Sequence, residues 1–284
     1  MKINKIIVFH SKNNRETINA IDSVKEWASD RNIKLELFHL KGDRENPSID
    51  KKRGLLAVSV GGDGTFLRAA DIIVGKSVPL LGINVGSLGF LTFLTSKDIY
   101  DGLTSVSEDR FNKRKLLRLK CVLFKEGKEE RELSALNEIS ITRREVTGFT
   151  ELDLIVNGEM AGTYAGDGII VTTPTGSTAH SLSCGGPIIL PSTKTIGVVP
   201  MNTHQLTARP FVCPDVSEII ISPKTRAALL SDGDLVRPVN SKNEIKITKS
   251  KETTEILTPP GKDKFFSTLR NKLNWIKNEN RKND

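Results

Sequence analysis

The sequence predicts a two-part protein, in which an α/β unit with a parallel sheet precedes an all-β unit. Three observations support this prediction. The length of 284 residues suits about two domains. Strand-like and helix-like hydrophobic periods alternate up to residue 106, as expected for a parallel sheet with crossover helices. After Lys115, short β-like runs follow one another with almost no helical period.

The first unit alternates between buried strands and amphipathic helices. The predicted strands are residues 5–9, 35–38, 55–60 and 78–83. The predicted helices are residues 14–32, 65–74 and 96–106. Asn13 or Asn14 is expected to cap the first helix. This order predicts a Rossmann-like parallel-sheet domain over residues 1–114.

The second unit is predicted to be a β-sandwich-like domain over residues 115–257. Its β-like runs are residues 117–124, 133–136, 138–143, 152–156, 168–172, 195–199, 217–221, 227–230 and 244–248. Asn157-Gly158 predicts a two-residue hairpin turn. The helical period returns over 265–276, so residues 258–284 are expected to form a C-terminal helix and a polar tail. This helix could close either domain.

Composition excludes several classes of protein. No apolar run approaches the roughly 20 residues of a membrane span, and the N-terminus lacks the pattern of a signal peptide. The 3 cysteines are far apart and form no CxxC pair, which argues against a disulfide framework or a structural zinc site. A cytoplasmic location is therefore expected. The net charge of +8 suggests an anionic partner.

The sharpest motif is the glycine loop Gly61-Gly62-Asp63-Gly64-Thr65, between a predicted strand and a predicted helix. Its glycines allow backbone N–H groups to approach a ligand, and the helix N-terminus favours negative charge. An acidic residue in such a phosphate loop is electrostatically costly unless it serves as a base, an acceptor or a metal partner. The alternative is a tight turn with Asp63 as N-cap. The loop matches neither a Walker A motif nor the dinucleotide fingerprint.

Other polar clusters follow later strands. A second glycine cluster begins with Gly82 near the end of the next predicted strand and continues with Gly86 and Gly89 after it. Consecutive ends of parallel strands share one edge, so both glycine clusters can frame a single crevice. The segment 172–181 carries six hydroxyl side chains and suits recognition of ribose, base edges or phosphate, or is a capped solvent loop. Gly166-Asp167-Gly168 is a turn or the source of a carboxylate acceptor. Asn137-Glu138 alone would be a turn or a strand end.

Together these stretches closely resemble the NAD kinase family from about Leu55 onward. The motifs that match in order and approximate spacing are Gly61–Thr65, Asn137-Glu138, Gly166–Gly168, Thr173–Ala179, Gly185–Pro187, Val199-Pro200, His204–Pro210 and Ser231–Asp234. The glycine loop by itself also resembles lipid kinases and phosphofructokinases. The ensemble is specific to NAD kinases.

The resemblance implies transfer of the terminal phosphoryl group of a nucleotide to the 2′-hydroxyl of the adenosine ribose of NAD, giving NADP. Asp63 would be the catalytic base. The implied contacts to the donor phosphates come from Gly61, Gly62, Gly64, Thr65 and Arg68. Those to NAD come from Asn137 and Glu138 at the adenosine, Asp167 at the nicotinamide end, and an adenine pocket formed by residues 178–183, including Thr178, Ala179, His180, Ser181 and Ser183. Thr175 is a further implied binding residue.

The resemblance also implies Mg²⁺ held through the substrate phosphates, with no metal site in the protein itself, and ATP or polyphosphate as donor. A homodimer or homotetramer is expected, with no nucleic acid and no membrane as partner. Three positions depart from the family: His180 replaces a usual Tyr, Ala165 a frequent basic residue and Cys184 a usual Ala. None of them is the proposed base.

Two alternative functions remain open at this point. A lipid kinase of the diacylglycerol or sphingosine type shares the glycine loop, and an exposed apolar groove would favour it. A nucleotide-binding module without catalysis is suggested by the high pI of about 9.3 alone. Aromatic residues make up only 5%, and no basic run is interleaved with them as a stacking platform would need.

Overall fold

The computed structural model describes residues 1–40, 47, 49, 54–86, 89–145, 147–261 and 265–274. The chain divides into two compact units, an α/β unit of residues 1–115 and 254–284 and a β unit of residues 116–253. The chain leaves the α/β unit within one strand, Asn112–Lys125, and returns to it within another, Asn243–Thr258. In the described ranges, every helix is too short or too polar to cross a membrane.

The α/β unit is built on a parallel sheet. Its elements are β1 (Lys5–His10), α1 (Arg15–Ser29), β2 (Lys34–His39), β3 (Leu55–Gly61), α2 (Asp63–Ile73), β4 (Leu80–Asn84), β5 (Leu94–Thr95), a 3-10 turn (Ser96–Asp98) and α3 (Ile99–Ser107). The strand order is β2-β1-β3-β4, and β4 also pairs in parallel with β5 and with Ile256. This sheet confirms the predicted parallel arrangement.

Apolar faces of the helices close the core of the α/β unit. Helix α1 buries Ala20, Val24 and Trp27 among the side chains of the central strands. The Trp27 indole N–H donates to Thr104 Oγ1 of α3 at 2.9 Å, so the large ring is buried with its polar atom paired. Asn14 caps α1 by accepting from the Thr17 N–H, as one of the two predicted caps.

The β unit contains most of the strands. Its elements are β6 (Asn112–Lys125), β7 (Lys128–Ala135), β8 (Glu138–Arg143), β9 (Thr150–Val156), β10 (Glu159–Gly166), β11 (Gly168–Thr172), a 3-10 turn (Gly176–Thr178), α4 (His180–Ser183), β12 (Thr195–Met201), β13 (Phe211–Pro214), β14 (Ile219–Pro223), β15 (Ala227–Ser231), β16 (Asp234–Val239) and β17 (Asn243–Thr258). A last helix, α5 (Phe265–Leu273), belongs to the α/β unit.

Two sheets share one core in the β unit. One runs β10-β9-β14-β17, with β6 beside β17 and β7 beside β6, and the other runs β13-β12-β11-β8-β15-β16. Alternate residues of both sheets, such as Ile139, Leu154, Val171 and Ile219, are fully buried in one cluster. This arrangement confirms the predicted β-sandwich-like domain.

Several element boundaries differ from the sequence prediction. Strands β10, β13 and β16 were not among the predicted runs, because their residues are largely exposed or interrupted by Gly and Pro. The predicted helix 96–106 begins as a 3-10 turn and becomes α-helical at Ile99. The predicted helix 265–276 is described to Leu273, and its last two residues and the polar tail lie outside the described residues.

Candidate active site

The glycine loop of the α/β unit joins β3 to α2. Gly61 has φ +155°, and a Cβ there would overlap with Thr65, whose hydroxyl lies 2.8 Å from Ser11 Oγ. A Cβ on Gly62 or Gly64 would meet nothing within 4 Å, so the space beside these residues is open. N–H groups in the first turn of a helix have no intrahelical acceptor. The Thr65 N–H donates to Gly62 O at 3.0 Å, so an anion at this loop would contact the N–H groups that precede Thr65.

Asp63 is held by the second glycine cluster. Its carboxylate accepts the Phe90 N–H at 2.9 Å through Oδ2 and the Leu91 N–H at 3.0 Å through Oδ1. Gly62 occupies the N-cap position of α2, so the alternative that Asp63 is a helix cap is wrong. A Cβ on Gly89 would overlap with the Asp63 carboxylate. The two glycine clusters thus meet at one sheet edge, as predicted for neighbouring parallel strands, although Ser87 and Leu88 lie outside the described residues.

A lysine from the C-terminal helix reaches the same carboxylate. Lys272 of α5 donates to Asp63 Oδ2 at 3.3 Å and lies 4.6 Å from the centre of the Phe90 ring. The side chains of Asp63 and Lys272 keep 26% and 35% of their exposure, so both can meet a ligand. Arg68, another predicted phosphate contact, is exposed farther along α2.

In the β unit, Asn137 and Glu138 form a tightly held corner at the start of β8. The Asp232 carboxylate accepts the N–H groups of Leu136, Asn137 and Glu138 at 2.7, 2.7 and 2.9 Å. Asp232 itself has φ +48° in the turn between β15 and β16. Thr173 donates through Oγ1 to Leu136 O at 2.6 Å. The backbone of the Asn-Glu pair is therefore fixed from two sides.

The side chains of this corner are left available. Asn137 and Glu138 are 8% and 5% exposed. Asn137 Oδ1 and Glu138 Oε2 are buried, and neither finds a hydrogen-bond partner among the described residues. Burial, and then the charge of Asp232, raises the pKa of Glu138 to about 7. Buried polar atoms without partners are costly in a folded chain and point to a ligand that satisfies them.

The hydroxyl-rich segment divides into structural and available groups. Thr172 and Thr173 donate to backbone carbonyls, and Ser177 Oγ donates to Pro174 O at 2.8 Å, so these hydroxyls hold the loop together. Thr175, Thr178 and Ala179 are half-buried, His180 and Ser183 are exposed, and Ser181 is buried. Ser181 Oγ is another buried atom without a partner in the described part of the chain.

Asp167 and His180 line one pocket of the β unit, with a volume of about 490 Å³. Thr142, Arg143, Glu145, Cys184, Met201 and Asn202 complete its lining. Asp167 is paired with Arg143 Nε at 2.7 Å and accepts from Asn202 Nδ2 at 2.9 Å. Burial, followed by the carboxylates of Glu138 and Asp167, raises the pKa of the Cys184 thiol.

The glycines beside Asp167 have structural reasons. A Cβ on Gly166 would come 2.7 Å from Met201 O, and one on Gly168, at φ +148°, would overlap with Ile141 O. The Gly-Asp-Gly pattern thus lets β10 and β11 approach neighbouring backbone while Asp167 faces the pocket.

Sequence reasoning did not identify several contributors to these sites. It missed Lys272, Arg143 and Asn202 as site residues. It also missed that the Asp232 carboxylate holds the backbone of residues 136–138. Asp232 was part of a motif that resembles the family, which was the one available signal. Lys272 and Arg143 had none, because each is an ordinary basic residue in a helix or at a strand end.

Comparison with known proteins identifies the family. The model of the ATP-NAD kinase N-terminal domain matches residues 44–111, and that of the ATP-NAD kinase C-terminal domain matches residues 136–258. The NAD kinase of Flavobacterium johnsoniae is 39% identical over 234 residues, which cover 81% of this chain and 79% of that protein. The NAD kinase of Syntrophotalea carbinolica is 35% identical over 223 residues, covering 78% of each.

Two solved structures have the same fold. A yeast NADH kinase complexed with NADH superposes with a TM-score of 0.86 at 21% identity, covering 99% of this chain and 90% of that one. An NAD kinase from Archaeoglobus fulgidus in complex with ATP gives a TM-score of 0.78 at 25% identity, covering 94% and 98%. These matches support neither a lipid kinase nor a nucleotide-binding module without catalysis.

Proposed function

The chain belongs to the NAD kinase family and phosphorylates the 2′-hydroxyl of the adenosine ribose of NAD to give NADP, and we propose that Asp63 is the base of this transfer. The observation that carries the assignment is the placement of its carboxylate. It lies at the start of α2, beside the open face of Gly62 and Gly64, and backbone N–H groups fix it. A secondary hydroxyl is a weak nucleophile, so a fixed carboxylate that accepts its proton promotes attack on phosphorus.

We propose that the glycine loop binds the donor phosphates. Gly62 and Gly64 would contribute backbone N–H groups, Gly61 and Thr65 would shape the loop around the phosphates, and Arg68 would add positive charge. The family description and the Archaeoglobus complex support ATP as donor. Polyphosphate remains an alternative donor.

We propose that NAD binds through the residues of the β unit. The unpartnered atoms of Asn137 and Glu138 would hydrogen-bond the adenosine ribose and adenine. The residues of the adenine pocket would include Thr178, Ala179, His180, Ser181 and Ser183, with Thr175 as a further binding residue. Asp167, paired with Arg143, would face the nicotinamide end. Two observations support this assignment: the pocket lined by Asp167 and His180, and the buried Ser181 Oγ, which has no hydrogen-bond partner among the described residues.

Mg²⁺ would arrive on the donor phosphates. Over the described ranges, no group of three or more His, Cys, Asp or Glu side chains is placed to hold a metal ion. Mg²⁺ commonly binds through substrate phosphates with only one or two protein ligands, so it needs no larger group of protein side chains here. When bound, the ion would neutralise charge on the transferred group. A homodimer or homotetramer and a cytoplasmic location stay predictions.

The test is NADP formation from NAD, ATP and Mg²⁺ by purified protein. We expect turnover by the native chain and a loss of kcat of at least about 100-fold in Asp63→Asn, with ATP and NAD binding retained, because the amide cannot accept the proton. Asp101→Asn changes an exposed carboxyl group on α3 and serves as the control. Undiminished kcat in Asp63→Asn would refute Asp63 as the base.

A further inference from the structure

The glycine loop places a negative charge, that of Asp63, where the donor phosphates are proposed to bind. A donor triphosphate brings several negative charges next to the Asp63 carboxylate, and like charges at close range repel each other strongly. The carboxylate must nevertheless stay ionised to accept a proton. A cation that contacts Asp63 without blocking it would resolve this conflict.

Lys272 occupies that position. Its ammonium group is 3.3 Å from Asp63 Oδ2, the oxygen that also accepts the Phe90 N–H. Phe265, at the start of α5, contacts the Phe90 ring with centroids 6.2 Å apart, and Leu269 is fully buried. Helix α5 thus contacts the loop that holds Asp63 through an aromatic pair, and one of its own apolar side chains is buried.

Counting acceptor sites shows that Asp63 can still react. A carboxylate has about four lone-pair positions. Within the described ranges, Oδ2 takes the Phe90 N–H and Lys272, while Oδ1 takes the Leu91 N–H. One position on Oδ1 remains for a hydroxyl proton. An ammonium group has three N–H donors, so Lys272 can hold Asp63 and still turn a donor toward a phosphate oxygen.

We propose that Lys272 is a positioning residue for the phosphoryl transfer: it holds the Asp63 carboxylate and offsets its charge when the donor triphosphate binds. This inference rests on the proposed role of Asp63. Both side chains are partly exposed, and exposed ion pairs contribute little to stability. The contact therefore serves the reaction more than the fold.

The test compares Lys272→Met and Lys272→Arg with Arg270→Met, which removes an exposed charge from the same helix. We expect Lys272→Met to lower kcat/KM for ATP on the order of tenfold or more, since a hydrogen bond to charged groups is lost. The KM for NAD and the thermal unfolding temperature should match those of the control. Lys272→Arg should recover part of the loss.

A double-mutant cycle on ATP binding, without NAD present, tests the charge compensation directly. Asp63→Asn alone should bind ATP more tightly than the native chain. If Lys272 offsets the charge of Asp63, the loss of ATP affinity caused by Lys272→Met should be smaller in the Asp63→Asn background.

Three results would overturn the proposal: kinetics of Lys272→Met equal to the control, increased activity of Lys272→Met, or equal losses for ATP and NAD with a lowered unfolding temperature. These results can be distinguished from a result that refutes Asp63 as the base. If Asp63→Asn keeps its kcat, the base assignment fails whatever Lys272 does. If Asp63→Asn is inactive while Lys272→Met is normal, only the role of Lys272 is refuted.

Discussion

Among single residues, Glu138 has the most altered acid–base behaviour of the proposed NAD-binding groups. Its carboxyl group is buried, faces the charge of Asp232 and leaves Oε2 without a partner in the described part of the chain. Near neutral pH the group is therefore partly protonated. In that form it can donate a hydrogen bond to a ribose oxygen as well as accept one.

The raised pKa of Glu138 predicts a loss of stability with rising pH. The folded chain keeps the proton up to about pH 7, whereas the unfolded chain releases it near the ordinary value of 4.5. The folded state thus binds more protons in this window, and the free energy of unfolding should fall by up to about 3 kcal/mol across it. Glu138→Gln should lack this component in denaturant unfolding at several pH values.

Glu159→Gln, which changes an exposed carboxyl group on β10, is the control for this measurement and should retain the native pH slope. An identical slope in Glu138→Gln and the native chain would contradict the assignment of the raised pKa.

At the scale of elements, the turn between β15 and β16 fixes the start of β8. Asp232→Asn keeps an oxygen for the N–H groups of Asn137 and Glu138 but sets a donor against the Leu136 N–H. We expect the free energy of unfolding to fall by about 1–3 kcal/mol. The KM for NAD should rise while the KM for ATP stays unchanged, because only the proposed contacts to adenosine are displaced.

Glu159→Gln, which changes an exposed carboxyl group on β10, should behave as the native chain in both assays. Parallel increases of both KM values in Asp232→Asn would argue for a general loss of structure and against a specific effect on NAD.

The contact between α2 and the loop after β4 yields another prediction. Gly89→Ala places a methyl group where the Asp63 carboxylate lies, so kcat should fall at least about tenfold because the proposed base is displaced. Gly102→Ala on α3 is the matched control, since its Cβ would come 2.5 Å from Leu94 Cδ1 in the core. That variant should lose about 1–3 kcal/mol of stability and retain kcat. Normal kcat in Gly89→Ala would show that Asp63 does not need its present position.

The sequence predicts elements and motifs well where they depend on residues that are close together in the chain. Alternating hydrophobic periods identify the central strands, and glycines that interrupt apolar runs reveal the loop around Asp63. Contacts between distant residues leave no such signal. Lys272 is 209 positions from Asp63, and in a helix rich in basic residues it is typical of a solvated face. The number of hydroxyl groups in a segment likewise does not show which of them are structural. Thr173 donates to the backbone, whereas Ser181 Oγ has no partner among the described residues.

For the whole molecule, the net charge of +8 is only partly explained by the proposed sites. Many lysines lie in ion pairs on the surfaces of the two units. Examples are Lys5 with Glu36 at 2.7 Å and Lys242 with Glu126 at 2.8 Å. Such exposed pairs contribute roughly 0–1 kcal/mol each. The basic surplus was a correct indication of anionic substrates, yet the proposed contacts to them come from the few groups around Asp63 and Glu138.

The nesting of the β unit within the sequence of the α/β unit has a consequence for biosynthesis. A ribosome releases residues 116–253 before residues 254–274, so the β unit is complete while the α/β unit still lacks Ile256 beside β4 and the whole of α5. Domains generally fold as units during synthesis. The glycine loop therefore exists early in translation, but Asp63 gains its lysine partner only when the final helix emerges. A prematurely terminated chain would carry the glycine loop without this contact.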